Sequence, residues 1–167
     1  MIKALIIGLI TSLLTFSPAQ AQDGETFAEW ITGDWAGSGQ FSGQESMATL
    51  TVEDTLGGRF HAFRYRFAAA ANDGGTTYFE GLGLYHAHGE RAWTGQWFDS
   101  MGNVHLLNGA IDGETLVAHW GDRGRTHYRR VGGNRLEIVD AMQNATGEWQ
   151  EFARYSLNRL TIGGSAD

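Results

Sequence analysis

The sequence predicts an all-β protein: an antiparallel up-and-down β-barrel of about ten strands preceded by one short helix. Two observations carry this. Glycine-rich turn signals recur every 10 to 15 residues or so, among them Ser42-Gly43, Gly57-Gly58, Asp73-Gly74-Gly75, Asp112-Gly113 and Gly132-Gly133. Between them lie short, alternating runs with no long helical pattern, so parallel crossovers are not expected and hairpins are. Closing such a meander removes its exposed edges, and the short connections suit a barrel better than a Greek-key sandwich.

The elements follow in order. Glu25 to Thr32 places Phe27, Trp30 and Ile31 at helical spacing, one or two turns that could lie over one end of the barrel. Ten strands are then predicted over approximately 34–42, 46–55, 59–69, 76–86, 90–99, 103–111, 114–121, 125–131, 134–142 and 148–160. A two-residue turn at Asp112-Gly113 sets Leu107, Leu116, Ala118 and Trp120 on one face with His105. A two-residue turn at Gly132-Gly133 sets Val131, Leu136 and Ile138 on one face with His127, Arg129 and Asp140. These more apolar sets are assigned to the interior, an assignment that a one-residue slip inverts.

The start of the chain reads as an export signal. Lys3 supplies a positive charge, Ala4 to Phe16 is almost unbroken apolar sequence, and Ala19-Gln20-Ala21 fits a small-x-small cleavage site. The expected organisation is a signal peptide over 1–22 and one domain over 23–167, in a periplasmic or secreted protein without a stable membrane anchor. The chain has no cysteine, which excludes both a lipid-linked cysteine and disulfides, so the fold must hold by packing and strand pairing. Beyond the signal there is no lysine and no proline, and 11 arginines face 19 acidic residues, a formal charge of −8. That balance argues against nucleic acid and anionic membrane surfaces as partners, and the missing lysine excludes lysine Schiff-base chemistry.

Gly33-Asp34-Trp35, after a short helical turn and opening the first strand, resembles the start of calycin barrels: lipocalins, fatty-acid-binding proteins and nitrobindin-like domains. The wider layout is similar to exported bacterial barrels known only as a domain of unknown function (number 1579). Trp35-Ala36-Gly37-Ser38-Gly39, Leu56-Gly57-Gly58-Arg59-Phe60, Glu80-Gly81-Leu82-Gly83-Leu84-Tyr85 and Trp93-Thr94-Gly95-Gln96-Trp97-Phe98-Asp99-Ser100 carry that likeness. The resemblance implies that Trp35 closes one end beneath an arginine of the last strand; Arg154 is the candidate and Arg159 the other arginine there. Nitrobindin-like barrels bind haem through a histidine on a late strand. Here the last strand, Trp149 to Leu160, has none, and His105 or His127 would have to substitute, so haem is not expected.

Arg64, Arg66 and Arg129, with Tyr65, resemble the groups by which fatty-acid-binding barrels grip a carboxylate, a task suited to the planar guanidinium fork. The same arginines could instead pair with Asp140 or Glu80, or face solvent. Trp93, Trp97, Trp120, Phe63 and Phe67 could line a cavity or fill a core; ten strands leave more interior than eight. The expected ligand-binding set is therefore Arg64, Tyr65, Trp97, His105, Trp120, His127 and Arg129, holding an amphipathic or aromatic small molecule. His86-Ala87-His88 could share a metal but lacks a third ligand fixed by sequence, and no metal site is assigned. No nucleophile or phosphate-loop motif occurs, and no catalytic residue is assigned. A barrel enzyme of cyclase, isomerase or hydrolase type, using inward histidine and carboxylate as acid and base, stays open as the alternative. A structural or interaction module is the third reading.

Overall fold

The computed structural model describes residues 25–71 and 73–161; the predicted signal peptide over 1–22 lies outside the described residues. A five-residue helix, α1 (Phe27–Ile31), opens the fold. It is started by a capping box: the Glu29 amide donates to Thr26 Oγ1, and the Thr26 amide donates to Glu29 Oε2 at 2.8 Å. Phe27, Trp30 and Ile31 are its buried residues. Ten strands follow: β1 (Gly33–Phe41), β2 (Gln44–Thr55), β3 (Phe60–Ala70), β4 (Thr76–His88), β5 (Ala92–Asp99), β6 (Val104–Asp112), β7 (Thr115–Trp120), β8 (Gly124–Arg130), β9 (Arg135–Gln143) and β10 (Trp149–Arg159). Each pairs antiparallel with its neighbours in sequence, and β1 pairs with β10 to close the barrel. The predicted all-β architecture, strand number and helix are all observed, with strand ends differing by a few residues.

Register decides which side chains see the interior. Asp112 pairs with Thr115, so the β6–β7 turn is Gly113-Glu114, one residue later than expected. The loop still has two residues, so the faces are unchanged: Leu107, Leu116 and Ala118 are buried, with His105 and Trp120 on their side. The β8–β9 connection differs. Arg130 pairs with Leu136, leaving an odd number of residues between the partners. One residue of slip turns β8 over. Leu136, Ile138 and Asp140 face inward as expected, but their partners across the ladder are Arg130, Tyr128 and Thr126, and His127 and Arg129 face out.

The interior is filled at the helix end. Trp30, Ile31 and Trp35 are buried there with Leu50, Val52, Phe63, Trp93, Leu116, Leu136 and Leu157. The rings of Trp30 and Trp35 meet at 5.0 Å, and both indoles donate to backbone, Trp30 to the Gly133 carbonyl and Trp35 to the Ile31 carbonyl, each at 2.8 Å. Large aromatics buried this way give shape and apolar area together, while their N–H groups stay bonded.

Candidate functional site

Arg159, not Arg154, caps the closed end. Its guanidinium carbon lies 4.2 Å from the centroid of the Trp35 ring. Nη1 donates to the Thr32 carbonyl at 2.6 Å and Nη2 to the Trp30 carbonyl. The cap thus stacks on the indole and ties the end of α1 to β10. Register explains the correction. Arg159 sits opposite Trp35 and shares the inward parity of Ala153, Tyr155 and Leu157, whereas Arg154 sits opposite Gln40 with its side chain outside. There Arg154 pairs with Glu151 at 2.6 Å and reaches Glu137 at 3.4 Å. Glu151 chiefly, through its hydrogen bond, raises the Arg154 pKa.

The other end of the barrel is open, over a cavity of about 440 Å³. Its wall is mostly aromatic. Phe41 meets Phe67 at 4.5 Å between centroids, Phe67 stacks on Phe79 at 5.0 Å, and Phe79 stacks on Trp97 at 6.4 Å, a run of rings around β1, β3, β4 and β5. Trp97 lies flat against β4 because two inward positions there are glycine. A Cβ at Gly81 would stand 2.0 Å from the Trp97 ring, and one at Gly83 3.2 Å from it. Across the barrel, Trp120 lies over Gly124 in the same way, 2.1 Å from where a Cβ would be. The glycines let bulky rings lie along the wall and leave the lumen empty.

The floor is polar and organised by one carboxyl group. Asp140, only 6% exposed, accepts from Thr126 Oγ1 at 2.6 Å and from the Tyr65 hydroxyl at 3.3 Å. Thr126 in turn accepts from the Trp120 indole at 3.1 Å. Tyr65 belongs to β3 and Asp140 to β9, four steps apart around the barrel, so Tyr65 crosses the lumen to make this contact. Phe63 lies beneath, 4.7 Å from Tyr85 and 5.4 Å from Tyr128 between centroids, where the filled half begins. Burial pushes the Asp140 pKa up to about 6, against the two hydroxyl donors that pull it down. Burial likewise raises the phenols of Tyr65, Tyr85 and Tyr128, so all three are neutral donors in the physiological range.

The rim is formed by the β5–β6 turn, where Asp99 accepts from the amides of Met101 and Asn103, each at 3.0 Å. Met101, 78% exposed, and Asn103 border the mouth with His105, whose ring lies 5.7 Å from that of Trp120.

Of the predicted ligand-binding set, Tyr65, Trp97, His105 and Trp120 line this cavity. Arg64, His127 and Arg129 do not. Arg64 pairs with Glu53 at 3.3 Å and Arg129 with Glu137 at 2.6 Å, both on the outer wall, as Arg66 does with Glu80 at 2.6 Å. Alternation explains Arg64 and Arg66: they flank Tyr65, which points in. The extra residue in the β8–β9 connection explains His127 and Arg129. Partial burial and then the nearby Arg125 lower the His127 pKa. His119 is exposed, 5.9 Å from the outer Trp149, and His86 and His88 stand on the outer face of β4. Among the described residues no group of three or more metal-ligating side chains occurs.

Asp140 is legible as an inward acid beside Leu136 and Ile138, expected to pair with His127 or an arginine; the slip on β8 gives it Thr126 instead. Thr126, Tyr85 and Tyr128 were missed through the same slip on β8 and for want of cross-barrel contacts. The signal for the Trp97 wall was present, as alternate glycines, Gly81 and Gly83, on the strand that pairs with it.

Comparison with known proteins adds the fold. No family model matches the chain, and no curated protein does. Among solved structures, the chain is similar to Rv2717c from M. tuberculosis, at 14% identity over 78% of this chain and 93% of that one, with a TM-score of 0.55. Likeness at that identity concerns the fold alone. The residues present do not fit a haem held from the last strand: the inward positions of β10 include Ala153, Tyr155 and Leu157 and no histidine.

Proposed function

We propose that this protein is an exported carrier that holds one small, largely aromatic or amphipathic molecule in the open half of a calycin-like barrel. The observation that carries the reading is the 440 Å³ cavity, aromatic on its wall and polar only at its floor and rim. Ligand sites of this size, apolar with a few convergent polar groups, favour barrel mouths. Export is supported by Lys3, the apolar run and Ala19-Gln20-Ala21. The calycin-like reading is supported by Gly33-Asp34-Trp35 and by the arginine stacked on that tryptophan.

A neutral fluorescent probe, N-phenyl-1-naphthylamine, tests the cavity. Saturable binding at one probe per protein is expected, and Gly81→Leu, which drives Trp97 into the lumen, should abolish it while circular dichroism confirms the fold. No saturable binding, or binding indifferent to Gly81→Leu, would overturn the carrier reading.

The acid–base enzyme is the weaker reading. Of the three histidines that could serve it, His119 and His127 face away, and His105 makes no ion pair with a carboxylate among the described residues.

A further inference from the structure

We propose that the molecule held in the cavity is an organic amine bound as its ammonium ion, an aryl or arylalkyl amine, with Asp140 as its counter-ion. This rests on the carrier reading and names its ligand class.

Three independent features of the lining point the same way. The first is charge. Among the described residues the ionisable side chains that reach the cavity are Asp99 and His105 at the rim, Asp140 at the floor and the neutral phenols; no arginine lines it, and the sequence beyond residue 22 has no lysine. Arg64, Arg66 and Arg129 are held outside by Glu53, Glu80 and Glu137. A fatty-acid-like carboxylate would meet two acids and no permanent cation, whereas an ammonium meets two opposite charges.

The second is the state of Asp140. It is buried, and among the described residues it makes no ion pair. Its protein partners are two neutral hydroxyls, one from Thr126 and one from Tyr65. A carboxylate offers about four lone-pair sites, so two donors leave it able to accept more, and a buried charge is favourable only when paired. An ammonium supplies both the donors and the charge.

The third is the wall. Phe67, Phe79 and Trp97 line the cavity, and aromatic rings attract a cation through their quadrupole and pack against an aryl group. Asp99 at the rim lies on the way in and favours cations there.

The test compares three ligands of similar size as competitors of the neutral probe at pH 7.5: 2-phenylethylammonium, 2-phenylethanol and 3-phenylpropionate. The expected order is ammonium first, roughly 10- to 100-fold tighter than the alcohol, the range of a charged hydrogen bond, with the carboxylate weakest. Asp140→Asn should bring the ammonium down to the alcohol, read as the ratio of the two affinities within the variant, because the amide offers no charge to pair with the ammonium. Lowering the pH to 5 should shrink the preference as the carboxyl takes up a proton. Asp140 is bonded by Thr126 from β8 and Tyr65 from β3 and feels Tyr128 from β8, Tyr155 from β10 and Tyr85 from β4, whose phenols are all raised and stay neutral in that window. The pH effect should persist in His105→Gln, which replaces the imidazole in the lining by an amide. Equal competition by the alcohol, or tighter binding of the carboxylate, overturns the amine assignment even if Asp140→Asn does not fold. Probe binding without amine preference sinks this inference alone; no probe binding sinks the carrier reading beneath it.

Discussion

The two ends of the barrel are built from the same residue types and come to opposite results. At the helix end, Trp30, Trp35 and Trp93 point across the lumen and fill it; at the other end, Trp97 and Trp120 lie along the wall and leave it empty. The difference is in what stands beneath each ring. Trp35 is pressed between α1 and the Arg159 guanidinium, with its N–H bonded to backbone. Trp97 and Trp120 rest on Gly81, Gly83 and Gly124, where the absent Cβ atoms make room for the ring. Aromatic content therefore does not distinguish core from cavity; what sets Trp97 and Trp120 apart is a ring lying directly over glycine, whereas Trp93 pairs with Gly109 but meets it through its Cβ and backbone.

The largest effect that should separate the ends is Trp35→Ala. Removing a fully buried indole at the closed end should cost about 3–5 kcal/mol, a fall in melting temperature on the order of 10 °C, with the residual binding of the neutral probe little changed in affinity. A loss of probe affinity larger than the loss of stability would show that the two ends are not independent.

Next comes the carboxyl at the junction. Because its folded pKa is raised, from 3.8 to about 6, ionisation is harder in the folded state. The penalty is absent below about pH 4, grows as pH rises from 4 to 6 and is complete above 6, at about 3 kcal/mol. Asp140→Asn carries no such penalty, so the stability of the variant relative to the wild type should rise by that amount between pH 4 and 7 in paired urea titrations. A difference that stays flat with pH would mean that Asp140 is not desolvated as described.

Gly81→Ala is a milder intrusion at the open end. A methyl group there would overlap the Trp97 ring, so an overpacking cost of about 1–3 kcal/mol is expected, and the displaced indole should weaken probe binding. Gly83→Ala, whose Cβ would meet the Tyr85 ring at 2.8 Å and the Trp97 ring only at 3.2 Å, should weaken probe binding less.

The smallest expected effect distinguishes the two arginines of β10. Arg154→Ala removes an exposed ion pair and should change stability by at most about 1 kcal/mol, with no change in Trp35 fluorescence. Arg159→Ala should destabilise more and shift the emission of the closed end. Equal costs from the two would undo the assignment of Arg159 as the cap.

Much of this architecture could be read from the chain. Turn chemistry and alternation are local, so the number of strands, the meander and the helix follow from short stretches of sequence. Faces were legible wherever loop length had the expected parity. Leu107, Trp120 and His105 came out on the correct side although the turn itself lay one residue further on. His127 and Arg129 came out on the wrong side because Gly132-Gly133-Asn134 closes a connection with an odd number of residues. The choice between Arg154 and Arg159 depended on which residue falls opposite Trp35, a matter of pairing between the two ends of the chain. The link from Tyr65 across the lumen to Asp140 joins strands that never touch in the sheet, and nothing in either strand's own pattern encodes it.

The six tryptophans allow the central claim to be tested in one spectrum. Their indole N–H signals divide by region: Trp30, Trp35 and Trp93 in the filled half, Trp97 and Trp120 on the cavity wall, and Trp149 on the outside beneath Arg125. Titrating N-phenyl-1-naphthylamine into nitrogen-15-labelled protein should move the Trp97 and Trp120 signals and leave the other four in place. Movement of Trp149 alone, or of the closed-end tryptophans with Trp97 and Trp120 unmoved, would contradict a ligand cavity in the open half of the barrel.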